Sequence, residues 1–324
     1  GQTQLGALLA DFAGLRGVEA LTFEAAGASG GVALRQASLA ISAGLVDVVL
    51  VIGVEKVTDK VGASVDAALA MAADADHEAV QGVTPSTQAA LLMRRYLHEY
   101  RLPADALAGF SLTAHANAVA NPCALYRREI STEDYRQAPM VCDPVNLYDA
   151  APVADGAAAV ILARPEVLPQ ADASRAVGVL ASAVSTSSVA VHDQADPLVF
   201  EAAAQSTALA YEHAGLAPEA IDLFEPHDLF SIYAALSLEA AGFARRGHGW
   251  EMARDGEILR TGRLPILTFG GSKARGDTAG ATGVYQAAEV ARQLQGRAGE
   301  AQVPNARIGM AQCLGGAGAT ASTL

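Results

Sequence analysis

The sequence predicts an α/β protein built from two successive strand–helix halves, with a mostly helical insertion interrupting the first. Three observations carry this. Short apolar runs alternate with helix-spaced segments in both halves. Each half carries a strand-to-helix joint rich in Gly, Ala and Ser or Thr, at 25–31 and 270–283. The stretch between about 58 and 148 differs in being richer in charge, His and Pro. The duplication is read from the order of elements, not from residue identity. Composition agrees, because the 324 residues are 51% hydrophobic but only 5% aromatic. A core of small side chains lets helices and strands approach closely.

Taken in order, Val18–Glu24 reads as a strand running into the small-residue turn 25–31. Val32–Ala43 has helical spacing, with Gly44 as its stop. Val46–Gly53 is continuous and β-branched, the pattern of a buried parallel strand. Strand, turn, helix and strand make a βαβ unit. Within the insertion, Thr87–Arg101 and Ala104–Val119 read as helices. Gly156–Ala163 returns as a strand and Pro165–Arg175 as a linker. The second half follows with strands at Ala176–Val184, Ile221–Glu225 and Arg307–Cys313, and helices at Leu198–Ala214, Phe230–Ala241 and Val284–Leu294. Leu264–Phe269 leads into the glycine-rich loop. The organisation expected is 1–57 with 149–166 as the first half, 58–148 as the insertion, and 174–324 as the second half.

A net charge of −13 and the lack of a Lys/Arg stripe argue against nucleic-acid binding. Cys123, Cys142 and Cys313 are widely spaced, without a disulfide or zinc pattern, which fits a reducing cytoplasm. His77, His98, His192, His213 and His248 lack metal-ligand spacing, and no metal is expected. The longest apolar run, Leu45–Gly53, is too short for a membrane span and is bounded by Asp47 and Glu55. The chain opens on Gly1-Gln2-Thr3 without Met or a signal peptide, and a fragment is the expectation.

Four segments together point to a family. They are Phe23–Gly31 (FEAAGASGG), Val51–Thr58 (VIGVEKVT), Glu225–Phe230 (EPHDLF) and Gly270–Gly283 (GGSKARGDTAGATG). In this order they resemble the thiolase superfamily, especially the archaeal and sterol-carrier-protein type, over nearly the whole chain. Smaller echoes are Asn121-Pro122, 155–159 (DGAAA) and 315–318 (GGAG). The resemblance implies the duplicated βαβαβ fold in αβαβα layers, an acyl-CoA substrate with no separate cofactor, and a homodimer paired near Val18–Glu24. It also implies a strand and helix preceding Gly1.

The chain departs from the family pattern where the chemistry lies. The nucleophilic cysteine, which needs a strained turn at a helix N-terminus to become a thiolate, is Gly27. The second acid/base cysteine is Leu229, and the activating histidine of the last loop is Asp277. Three chemical positions change while the glycines around them stand, which favours altered chemistry over decay.

The catalytic candidates are therefore His227, Asp277, Tyr233 and Tyr285. The two tyrosines follow their loops at corresponding helix starts. Gly27, Ser29, Gly271, Ser272 and Gly316 are the expected acyl-CoA contacts. Cys313, beside Gly315-Gly316, is the residue that could replace the lost nucleophile. His115 and Asn117 match the insertion pattern and could serve only to hold that region. The expected reaction is retro-aldol cleavage of a β-hydroxyacyl-CoA, which needs no acyl-enzyme. This is similar to the thiolase-like aldolases of steroid side-chain degradation, which implies an OB-fold partner carrying a zinc ribbon. The alternatives are a non-catalytic subunit of an acyl-CoA complex and an acyltransferase.

Overall fold

The computed structural model describes residues 2–324, without the side chains of 171 and 172. The first half holds α1 (Leu5–Phe12), α2 (Ser29–Ser42) and β1 (Val48–Glu55). The insertion contributes α3 (Ala63–Ala70), α4 (Pro85–Glu99), α5 (Ala108–Ala118), α6 (Thr132–Gln137) and a small hairpin, β2 (Met140–Cys142) with β3 (Val145–Asn146). β4 (Gly156–Ala163) and the short α7 (Gln170–Ala173) lead into the second half. That half comprises β5 (Ala183–Thr186), α8 (Glu201–Ala214), β6 (Leu223–Glu225), α9 (Ser231–Ala240), α10 (Gly249–Arg254), α11 (Thr282–Leu294), β7 (Gly309–Gly315) and β8 (Thr320–Thr323).

Local chemistry explains four of the helix boundaries. α2 ends where Gly44 takes φ 71°, and α8 ends at Gly215 with φ 65°, the left-handed cap glycine adopts without strain. α4 starts at Pro85 behind a reciprocal Thr84–Thr87 cap, and α6 behind Ser131–Asp134.

Two expected strands fail in part. Val18–Glu24 is not a strand, because none of its backbone groups joins a ladder among the described residues. Ala176–Val184 becomes strand only at Ala183–Thr186, where β8 lies alongside. A third correction concerns β1. It pairs antiparallel with β4, from Val48 opposite Ala163 to Glu55 opposite Gly156. Its inner residues Val49 and Val51 meet a core with Leu34, Val284 and Val160. Val48, Leu50 and Ile52 face outward and are exposed, so the continuous apolar run is a two-faced strand. The hairpin β2–β3 and strand β8 were not expected. Both consist of segments too short to show alternation.

The second sheet has the order β5–β8–β7–β6, with β6 and β7 parallel and the other pairs antiparallel. α2 and α11 lie between the two sheets, and α8 covers the far side of the second. No described helix packs on the outer face of β1 and β4. No described helix is long and apolar enough to cross a membrane.

The two central helices meet through glycine. A Cβ added at Gly283 would lie 2.4 Å from the Gly31 N and 2.9 Å from Cys313 Sγ; one at Gly30 would lie 2.8 Å from Val284 N. Only hydrogen at these positions permits the contact. Gly283→Ala should therefore destabilise the protein by about 1–3 kcal/mol through overpacking. Gly178→Ala, where an added Cβ meets nothing within 4 Å, should leave the melting temperature unchanged. Equal melting temperatures for the two variants in calorimetry would contradict the packing argument.

Candidate functional site

The duplication is visible in residues as well as in pattern. Ala26-Gly27-Ala28 forms a 3₁₀ turn feeding α2, and Ala279-Gly280-Ala281 forms the same turn feeding α11. Each turn opens with an alanine at positive φ, 49° at Ala26 and 42° at Ala279. L-residues rarely adopt this conformation, and it marks functional loops more than ordinary ones. The turns face each other, with the Gly280 Cβ position 3.5 Å from Ser29 Cβ and 3.6 Å from Ala26 O. The Ser29 hydroxyl accepts from the Ala25 N–H at 2.8 Å and donates to Ala26 O at 2.6 Å. Its work is to hold the strained turn.

These turns sit at one end of a long open cavity of about 2310 Å³, bordered there by Gly27, His227, Leu229, Tyr233, Asp277, Leu314 and Gly316. The same cavity also borders every residue of β1, inner and outer, and the segment 18–24.

Gly27 is more than a missing nucleophile. A Cβ built on it would lie 2.5 Å from Leu314 O, 2.8 Å from His227 Cε1 and 3.6 Å from His227 Nε2. The imidazole and a backbone carbonyl hold the space where a side chain would begin. His227 is buried, and its Nδ1 accepts the Leu314 N–H at 3.0 Å. Burial, aided by Arg275, lowers its pKa to about 4. The ring is therefore neutral at pH 7 with its proton on Nε2, and Nε2–H is a donor on the Gly27 side.

Asp277 is held by its backbone between Pro152 and Ala154. Its carboxylate accepts the Ala279 N–H at 3.2 Å and the Thr282 hydroxyl at 3.3 Å. Burial lifts its pKa to about 6, against the lowering pull of the Ala279 N–H, Arg275 and Thr282. Desolvation thus gives a carboxylate basic enough to take a proton near neutrality. Asp228 accepts the N–H groups of Ser272 at 2.6 Å and Lys273 at 3.2 Å, fixing the π-helical turn Gly271–Arg275 that leads to Asp277.

The other candidates separate. Tyr233 borders the cavity, but its ring lies edge-on to Phe200 and Phe230 in the core, and burial pushes its phenol pKa up. Tyr285 is not brought to the cavity. Its hydroxyl lies against Gly156, with the Arg275 guanidinium 4.5 Å from its ring centre. The two tyrosines therefore do not face one site, since α11 turns Tyr285 towards β4 while α9 turns Tyr233 inward. Gly271 and Ser272 lie under the loop and do not border the cavity, whereas Gly316, at φ 60°, does. Cys313 is buried between the central helices, its thiol pushed up to about 12 by burial, and does not border the cavity. Asn117 donates to Ile266 O and Leu267 O and holds the insertion against the second half. Sequence reasoning passed over Lys273, a buried lysine in the quoted glycine loop that borders the cavity, and gave His115 only a holding role.

Family comparison matches the thiolase N-terminal domain to residues 1–166 and the thiolase C-terminal domain-like family to residues 183–324. The chain belongs to the thiolase family. Among curated relatives, it is 41% identical to the acetyl-CoA acetyltransferase of Methanothermobacter thermautotrophicus, over 99% of this chain and 83% of that protein. It is 29% identical to the benzoylsuccinyl-CoA thiolase subunit BbsB of Thauera aromatica, over 91% and 76%. Among solved structures, the Ltp2-ChsH2(DUF35) aldolase superposes with a TM-score of 0.84 at 23% identity, over 99% of this chain and 84% of that one. The Acat5 thiolase from Ascaris suum, solved with coenzyme A, superposes at 0.67 with 17% identity, over 99% and 83%. These structures establish the thiolase fold.

Two predictions follow from the site's geometry and titration. Gly27→Cys should not rebuild a thiolase nucleophile, because its Cβ collides with Leu314 O. Intact-protein mass spectrometry after incubation with acetyl-CoA should find no stoichiometric acyl adduct, and finding one would show that the turn can yield. The second concerns pH. Between about 4 and 6 the folded chain holds a proton on Asp277 that the unfolded chain (pKa 3.8) has released, so this group makes stability fall as pH rises. His227 acts oppositely: the unfolded chain protonates below 6.5 and the folded chain only below about 4, so stability rises across that interval. Asp277→Asn removes the falling contribution. Its melting temperature should climb more steeply from pH 4 to 6 than that of the wild type, and parallel curves would count against the raised pKa of Asp277.

Proposed function

We propose that this protein binds CoA thioesters and cleaves a carbon–carbon bond in a β-hydroxyacyl-CoA by a retro-aldol reaction. The observation that carries this reading is a single cavity bordered by a raised-pKa carboxylate, by a neutral imidazole donor and, beside that imidazole, by a glycine that has no room for a nucleophile. Family membership supports the CoA thioester. The name of the acetyltransferase relative points to acyl transfer, but that chemistry needs a thiolate. No cysteine borders the cavity among the described residues, and Cys313 is buried with its pKa raised.

In the proposed reaction, Asp277 takes the proton of the β-hydroxyl. The Cα–Cβ bond then breaks, the β-carbon leaves as a ketone or aldehyde, and the electron pair passes into the thioester enolate. The His227 Nε2–H stabilises the enolate oxygen, a role suited to a fixed donor that carries no charge of its own. The α-carbon takes a proton back from the Asp277 carboxylic acid, which restores the carboxylate and releases the shortened acyl-CoA. The roles first expected of Tyr233 and Tyr285 pass to Asp277 and His227. A homodimer is part of this proposal, supported by the exposed apolar Val18 and Leu21 in the segment 18–24. So is an OB-fold partner, for which the support is the resemblance to the steroid-degrading aldolases.

Cleavage of a tertiary β-hydroxyacyl-CoA, followed by release of the ketone, tests the proposal. kcat/KM should rise with pH about a midpoint near 6, as Asp277 ionises. Asp277→Asn should lower it by about 10²–10⁴-fold, the usual worth of a positioned base. Tyr285→Phe should retain near-full turnover. A wild type that forms no ketone but carries an acetyl group after acetyl-CoA treatment would overturn the lyase reading in favour of acyl transfer.

A further inference from the structure

The insertion side of the cavity carries a second polar pair that the proposed chemistry does not use. His115, from α5, is buried and borders the cavity. Its Nδ1 lies 3.2 Å from Arg128 O. A carbonyl can only accept, so Nδ1 carries the proton. Burial lowers the ring's pKa, and the charges of Lys273 and Arg128 lower it further. His115 is therefore neutral with a bare Nε2, the tautomer opposite to that of His227. Tyr126, stacked at 6.0 Å, and Tyr148, edge-on at 5.5 Å, flank the ring.

Lys273 is only 2% exposed and borders the same cavity. An ammonium has three N–H donors. One of them reaches Asp149 O at 2.6 Å, and no other protein acceptor engages Nζ among the described residues. The turn that carries it packs on α5, and Tyr126, stacked on His115, donates its N–H to Ala274 O at 2.9 Å, which places Lys273 beside the insertion wall. The Asp149 carboxylate is already engaged by the Tyr135 hydroxyl and the Asn146 N–H.

A buried donor without a full set of partners is costly, and here it stands near an imidazole that offers only a lone pair. We propose that His115 and Lys273 form an acyl-chain subsite for a hydroxyl group separate from the one at the β-carbon. The hydroxyl oxygen accepts from Lys273 Nζ and its proton goes to His115 Nε2. A carboxylate fits less well, since it has no proton for Nε2 and would sit near Asp149 and Asp228. The subsite rests on the CoA-thioester reading and specifies its substrate class: acyl chains carrying a second hydroxyl. Sites built to hydrogen-bond a hydroxyl reject analogues lacking it far more strongly than apolar sites reject an extra methylene.

The test compares two CoA thioesters that differ only in a second hydroxyl on the acyl chain, by calorimetric binding to the wild type, Lys273→Met and His115→Phe. The wild type should bind the hydroxylated thioester at least about 10-fold more tightly. Both variants should lose that preference while holding the unhydroxylated thioester as well as before. Equal weakening towards both thioesters would assign the pair a purely structural role and overturn the proposal, as would a wild type with no preference. Far-ultraviolet circular dichroism and melting curves confirm that each variant is folded; if Lys273→Met is not, His115→Phe decides. Because binding is read directly, failure of the lyase reaction leaves the result intact.

Discussion

The contact between Gly30 and Gly31 at the start of α2 and Gly283 at the start of α11 is the constraint on which the rest of the site depends. It lets two helices from different halves of the chain cross with backbone nearly against backbone. Because both helices begin at this crossing, their preceding turns are forced to face each other, and the loops bearing Gly27 and Asp277 meet. Any side chain at the crossing would separate the two helix starts, and with them the two loops.

Around that crossing, a few buried polar contacts set the chemical character of the cavity. The Leu314 N–H fixes which nitrogen of His227 carries a proton, and the Arg128 carbonyl does the same for His115 with the opposite result. Asp228 ties down the turn before Asp277 through two backbone N–H groups. In each case the partner of the functional group is backbone, placed by the fold. Burial then does the titration work, lowering both imidazoles and raising the carboxyl of Asp277.

Much of this was legible in the residues. Glycine motifs at 25–31 and 270–283 located both turns, and the loss of cysteine at 27 and 229 was plain. His227 and Asp277 were found because they stand at motif positions. The tyrosine pair was not resolved by the same logic: matching places after two loops do not give matching directions, since side-chain aim depends on what each helix packs against. His115 and Lys273 were undervalued because their significance lies in bordering one cavity from elements far apart in the sequence. Val18–Glu24 read as a strand from composition alone, but a strand also needs a neighbour to bond.

The sequence by itself determined the α/β class, the order of most helices and strands, and the absence of the nucleophile. Those follow from local spacing, glycine conformational freedom and residue identity. Only the tertiary structure decided that position 27 has no room for a side chain, that β1 runs antiparallel to β4, that Cys313 and Tyr285 lie away from the cavity, and which nitrogen of each histidine is bare. These are properties of contacts between residues far apart in the chain, fixed by close packing and by the backbone groups that packing brings within hydrogen-bond reach.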